Sequence, residues 1–143
     1  MLERSFASLR LLSDTLTRAQ LSDDKRLIWS TLTQAHLRAF RADGDDREGI
    51  IDQLFLTHGV DVAVLFIELA DGSTKLSLRS HGHLDVAQFA RSLTEHGGGH
   101  AKAAGANLSQ PIREAIDSVL RELKAAMSGP SLAFPQARID SKR

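Results

Sequence analysis

The sequence predicts an α/β fold: a mixed sheet of about four to five strands flanked by helices, with an N-terminal amphipathic linker helix. Three observations predict it. Val60 to Leu69 is nearly continuous in apolar character, as a central strand covered on both faces has to be. Asp71-Gly72 makes a turn, and Thr74 to Ser80 returns from it with Leu76 and Leu78 alternating, so the two segments form a hairpin. Around this hairpin, apolar residues recur at three- and four-residue spacing in several segments, each a helix with one face to bury.

In chain order, Leu2, Phe6, Leu9, Leu12, Leu16 and Ala19 form one helical stripe, with Arg4, Ser8, Asp14 and Arg18 outside it. Ser22-Asp23-Asp24 is a turn, and Arg26 to Leu32, rich in branched and aromatic residues, is the first strand, with Trp29 in the core. Thr33 caps a short helix over Gln34 to Arg41. Ala42 to Asp46 is a loop in which Asp45 or Asp46 caps a second helix, so the acidic cluster reads as a cap rather than a metal site. That helix buries Ile50, Ile51, Leu54 and Phe55 and ends near His58-Gly59. After the hairpin, Asp85 opens a helix with Val86, Phe89, Ala90 and Leu93 inward. A short strand at Gly105 to Leu108 follows, then a helix from Gln110 or Pro111 that buries Ile112, Ile116, Val119, Leu120 and Leu123. These elements divide the chain into a linker helix (1–22), one domain (23–127) and a disordered, Pro- and Gly-containing polar tail (128–143).

Composition bounds the function. At 143 residues and 42% apolar content the chain holds one domain with a real core. Its formal net charge is zero, so any contact with nucleic acid is local and small. There is no cysteine, which excludes disulfides and thiolate metal sites and favours a cytoplasmic home. No apolar run approaches the roughly 20 residues of a membrane span, so no membrane partner is expected.

The stretch with the most chemistry is Gly97-Gly98-Gly99-His100. Consecutive glycines suit a place where backbone comes very close to a ligand and its amides turn toward one point as an anion-binding nest. Arg79, at a strand end before Ser80, carries a permanently charged guanidinium that can grip two phosphate oxygens at once. The imidazole of His100 can donate to such a phosphate or lie against a base. His81 with His83, or His96 with His100, could be drawn as a zinc or manganese site, but Gly82 and the glycine run disfavour the required geometry, and no metal is assigned.

The motif Gly97-Gly98-Gly99-His100-x-x-Ala103-Ala104-Gly105, preceded by Arg79-Ser80, resembles the C-terminal signature of the DHH phosphoesterase superfamily. More narrowly, it looks like the DHH-associated domain of the bacterial nanoRNase and phosphoadenosine-phosphate phosphatase (NrnA) type. Lys25 to Thr33, Asp46-Arg47-Glu48-Gly49, Val60 to Phe66 and Leu76 to Ser80 match in the same order, so the likeness covers roughly residues 5 to 125. His96 and Ala101 depart from the pattern, the first from a common glycine or apolar residue and the second from a frequent Pro or Lys.

The resemblance implies the substrate-holding half of a manganese-dependent phosphoesterase. The Asp-His-His run that holds the metal pair in such enzymes occurs nowhere here, so no catalytic residue and no cofactor is assigned to this chain. The missing N-terminal DHH domain would then be its partner and the source of hydrolysis. The chain itself would hold the terminal nucleotide and phosphate of short RNA or of adenosine bisphosphate. Arg79, Ser80, Gly97, Gly98, Gly99 and His100 are the expected phosphate-binding residues. As the tail of an absent domain, the N-terminal helix would leave part of its stripe exposed, which makes a homodimer the alternative fate of that surface. A related domain also ends alanyl-tRNA synthetases, where it serves RNA contact and dimerisation, and this is the competing expectation.

Overall fold

The structure, a computed structural model, describes residues 3–128, so the expected tail lies outside the described residues except for Ser128. The chain runs α1 (Phe6–Thr17), β1 (Gln20–Leu21), β2 (Leu27–Leu32), α2 (Gln34–Ala39), a 3-10 turn (Gly44–Arg47), α3 (Ile50–Phe55), β3 (Val62–Glu68), β4 (Thr74–Ser80), α4 (Val86–Leu93), β5 (Gly98–His100), β6 (Ala103–Leu108) and α5 (Ile112–Ser128). The fold is α/β, as expected, and the strands form one sheet in the order β1-β2-β3-β4-β6-β5. Only β2 and β3 pair in parallel, joined by the α2 and α3 segment, and every other neighbour is antiparallel. Six strands stand where four to five were expected. The additional ones are β1, only two residues long, and β5, built of glycines that carry little strand propensity.

Strand alternation divides the core in two. On one face Val62, Val64 and Phe66 of β3 and Leu76 and Leu78 of β4 pack with Ala104, Ala106 and Leu108 of β6 under α4 and α5. Trp29 joins this side only partly buried, its ring edge-on to Phe66 with centroids 5.8 Å apart. On the other face Ile28 and Leu32 of β2 and Ala63, Leu65 and Ile67 of β3 lie beneath Leu11 of α1, Leu37 of α2 and Ile50, Ile51 and Leu54 of α3. Buried on both sides, β3 is the central strand that its composition predicts.

Local signals account for most boundaries. Thr33 accepts from the His36 amide, and the His36 ring accepts from the Thr33 amide in return, a capping box that starts α2. Asp85 caps α4 through the Gln88 amide. The acidic loop does cap, but Asp43 does the work, and it starts the 3-10 turn rather than α3. At the cap position of α3 stands Gly49, with φ +83 and no side-chain bond, so neither Asp45 nor Asp46 caps that helix.

The N-terminal helix is turned relative to expectation. Ser8, Leu11 and Thr15 are its buried row, whereas Phe6 is 72% and Leu9 52% exposed. Polar residues can face inward here because each is satisfied. Thr15 donates to the Leu11 carbonyl, Ser30 donates to the Thr15 carbonyl, and Ser8 receives Arg4 and donates to the Asp46 carbonyl. Hydropathy reads such residues as outward, and that is why Ser8 was placed outside.

Candidate functional site

Only half of the second sheet face carries helices. Because paired residues in antiparallel strands point the same way, the registers define rows that run across it. The first row is Ala63, Arg79, Ala103 and His100. The second is Leu65, Ser77, Gly105 and Gly98, and the third is Ile67, Lys75 and Asn107. Each row begins with a buried apolar residue of β3 and then passes into half-buried or exposed small and polar residues. The result is a shallow shelf over β4, β6 and β5, floored by the bare backbone of Gly98 and Gly105 and edged by Arg79, His100 and Lys75.

The alternation of β4 aims Arg79 at this shelf: Leu76, Leu78 and Ser80 are buried on the opposite face. Its Nε donates to Oδ1 of Asp52, an exposed α3 residue, at 2.9 Å, and Nη1 donates to the Leu78 carbonyl at 3.0 Å. These bonds use part of the five-donor fork and fix it beside α3. The same alternation takes Ser80 away from the shelf. Its hydroxyl is buried and accepts from the Gly82 amide, so Ser80 shapes the turn after β4 and does not share a face with Arg79.

The glycines separate in the same manner. The run is not a loop with converging amides, because Gly98 to His100 form the edge strand β5, paired to β6 through the turn at Ala101-Lys102. Gly97 lies before the strand, and a Cβ there would meet the Ala90 carbonyl oxygen of α4 at 2.1 Å. Gly99 has φ +138, and its Cβ would lie 2.7 Å from Ala103 and Ala104 backbone atoms. Both are glycine because backbone packs there. At Gly98 a Cβ would meet nothing within 4 Å. Its missing side chain leaves open space on the shelf, which is the place a ligand would need.

Of the six expected site residues, the fold brings Arg79, Gly98 and His100 onto one uncovered face, while Ser80, Gly97 and Gly99 serve the scaffold. Sequence reasoning did not count Lys75, Ser77, Asn107 and Asp52 among the site residues, nor Gly105, although it closes the motif. The first two were readable from the strict alternation Lys75-Leu76-Ser77-Leu78-Arg79, whereas Asp52 comes close only through tertiary packing. Two grooves, of about 560 and about 530 Å3, lie elsewhere, one at Ser92, Thr94, Gln110 and Ser118, the other at Leu21, Trp29, Leu120 and Lys124. Neither includes a residue of the shelf.

Among the described residues no three or more histidine, aspartate or glutamate side chains gather so that they could hold a metal ion. His81 instead stacks on Phe55, centroids 4.3 Å apart, and His96 lies 3.6 Å from the Glu95 carboxylate. The described residues therefore offer no donor set that fits the manganese the resemblance implies. No helix among the described residues is long and apolar enough to cross a membrane.

The fold is similar to that of an exopolyphosphatase-related protein from Bacteroides fragilis, with TM-score 0.78 and 24% identity over 85% of this chain and 35% of that one. It is also similar to the pGpG-specific phosphodiesterase PggH from Vibrio cholerae, with TM-score 0.57 and 12% identity over 82% of this chain and 37% of that one. The C-Ala domain of the Aquifex aeolicus alanyl-tRNA synthetase matches with TM-score 0.55 and 14% identity, over 77% of this chain and 96% of that domain. The chain thus spans about a third of the length of the first two. No curated protein matches it in sequence. The family model of the DHHA1 domain matches residues 27–129, well over half of the sequence and every element of the sheet beyond β1, and the chain accordingly belongs to the DHHA1 domain family.

Proposed function

We propose that this chain is the substrate-holding half of a DHH-family phosphoesterase of NrnA-like type, binding the terminal nucleotide and phosphate of short oligoribonucleotides or adenosine bisphosphate. One observation carries the reading: Arg79, His100 and the cross-strand glycine pair Gly98 and Gly105 lie on one sheet face over β4, β6 and β5 that no helix among the described residues caps. Arg79 supplies a fixed cation for the phosphate. The glycine floor lets a ribose or base lie against backbone, and the His100 imidazole donates to phosphate oxygen or stacks on a base. Hydrolysis then belongs to a metal-bearing DHH domain outside this chain, which fits the share of its neighbours' length that the chain spans. The exposed Phe6, Leu9 and Leu16 side of α1 is where that domain would pack. A cytoplasmic place goes with this reading.

The experiment is nuclear magnetic resonance titration of the chain with a 5′-phosphorylated dinucleotide. Arg79, Gly98 and His100 are expected to shift together, without turnover of the probe when manganese is added. Shifts confined to the Ser92 to Glu122 groove, or none at saturating probe, overturn the reading.

A second reading, an RNA-binding or dimerisation module, is favoured by the length match to the C-Ala domain, 96% of which is covered. Binding of tRNA by a dimer that ignores the dinucleotide selects it.

A further inference from the structure

We infer that the shelf carries a second phosphate seat, formed by Lys75 with Asn107, so that the ligand it selects holds at least two phosphates running along β4. The inference rests on the reading of the shelf given above and adds to it a length requirement. Lys75 and Arg79 occupy the same face of one strand with Ser77 between them, and Asn107 stands directly across from Lys75 on β6. At about 3.3 Å per residue the Cα atoms of Lys75 and Arg79 lie about 13 Å apart along the strand, and the flexible four-carbon stem of Lys75 can reach back toward Arg79 to serve the neighbouring phosphate of a dinucleotide. The inorganic part of a monophosphate reaches only one of the two cations.

What lies between decides the shape of the ligand. The middle row is Ser77, Gly105 and Gly98, the smallest side chains of the shelf, while the rows on either side end in Arg79 with His100 and in Lys75 with Asn107. A gutter of this form takes a nucleoside in the middle and a phosphate at each end. Lys75 is exposed, and among the described residues no carboxylate pairs with it, whereas Arg79 already meets Asp52. An ammonium is a strongly hydrated point charge on a flexible stem and suits a mobile internal phosphate. The planar fork of Arg79 suits a terminal one gripped through two oxygens. With zero net charge overall, these few cations are the chain's means of attracting a polyanion to this face.

The test measures affinity for two probes, adenosine 5′-monophosphate and 5′-phosphorylated diadenylate, at a series of salt concentrations. Wild type, Lys75→Gln and Arg79→Gln are compared, with the thermal midpoint of each confirming the fold. Lys75→Gln is expected to weaken the dinucleotide about fivefold, as loss of one exposed ion pair does. It should also lower the slope of log affinity against log salt by about 0.7, the value for one single-strand phosphate contact. Its affinity for the monophosphate should stay within about twofold, and Arg79→Gln should weaken both probes. If Lys75→Gln leaves the dinucleotide affinity and its salt slope at wild-type values while Arg79→Gln weakens both probes, the second seat is wrong and the reading of the shelf stands. If wild type binds neither probe, the reading of the shelf fails and the second seat with it.

Discussion

Leu65 and Ser77 are cross-strand neighbours on the same face of the same sheet, yet one is sealed under helices and the other opens to solvent. The division holds along the whole face. Over β2 and β3 the residues are Ile28, Ala63, Leu65 and Ile67 beneath α1, α2 and α3; over β4, β6 and β5 they are Lys75, Ser77, Arg79, Gly105, Asn107, Gly98 and His100. The parallel pair β2 and β3 is covered on both faces, whereas the antiparallel strands β4, β6 and β5 leave one face open, as antiparallel sheets can. The composition of each strand follows its cover, apolar beneath the helices and small or polar where the face is open.

The sharpest way to break that contrast is a matched pair within one row. Leu65→Ala removes a fully buried side chain and should cost about 2–5 kcal/mol. Ser77→Ala, one strand away, should stay within about 0.5 kcal/mol. Denaturant unfolding of both variants measures the difference. Equal costs would mean that the shelf is covered in solution.

The glycine run gives the next largest effects and a similar contrast. Gly97→Ala drives a Cβ into the Ala90 carbonyl of α4 and should destabilise by about 1–3 kcal/mol, as overpacking does. Gly98→Ala meets nothing and should unfold like wild type, while affinity for a 5′-phosphorylated dinucleotide falls about tenfold, or about 1.4 kcal/mol. A Gly98→Ala variant that binds normally would remove the floor from the proposed site.

Asp52 tests the seam between the two halves. Its carboxylate holds Arg79 from the covered side, at an exposed position where an ion pair contributes under about 1 kcal/mol. Asp52→Asn should therefore change stability little, and by removing a competing anion it should raise phosphate affinity up to about fivefold, the equivalent of that same energy. Isothermal titration with inorganic phosphate reads this directly, and unchanged or weaker binding would mean that Asp52 positions Arg79 instead of competing for it.

How much of this was legible in the sequence follows from how local each signal is. The β3–β4 hairpin, the Thr33 and Asp85 caps and the long C-terminal helix rest on neighbours within a few residues, and all are present. The face of α1 was misread because its buried row is held by hydrogen bonds to the Asp46 carbonyl and from Ser30, partners far along the chain. Likewise the strand at Gly98 to His100 exists because β6 pairs with it, against the propensity of glycine. At the site, Arg79 and His100, singled out by residue type, do fall on one sheet face. Ser80 was grouped with Arg79 as a sequence neighbour, although adjacent strand residues always face apart.

The smallest effect concerns the covered half, where α2 starts on a titratable cap. The Nδ1 of His36 accepts from the Thr33 amide at 2.9 Å, so the cap requires the neutral ring. Burial holds the His36 pKa below its ordinary value, and the Arg18 cation adds to this, while the Asp14 and Glu68 carboxylates oppose it. The unfolded chain therefore binds the proton more readily than the folded one. Stability is fully present above the ordinary histidine range and is lost as pH falls through that range toward the lower folded value. The loss should amount to about 1 kcal/mol or less, the worth of a cap. Thermal midpoints from neutral to mildly acidic pH measure it against His36→Gln, whose amide oxygen can serve the same capping position without titrating. Wild type should fall with acidification while His36→Gln stays nearly level. Parallel declines would assign the acid sensitivity to other groups, and α2 would then start independently of the charge on its cap.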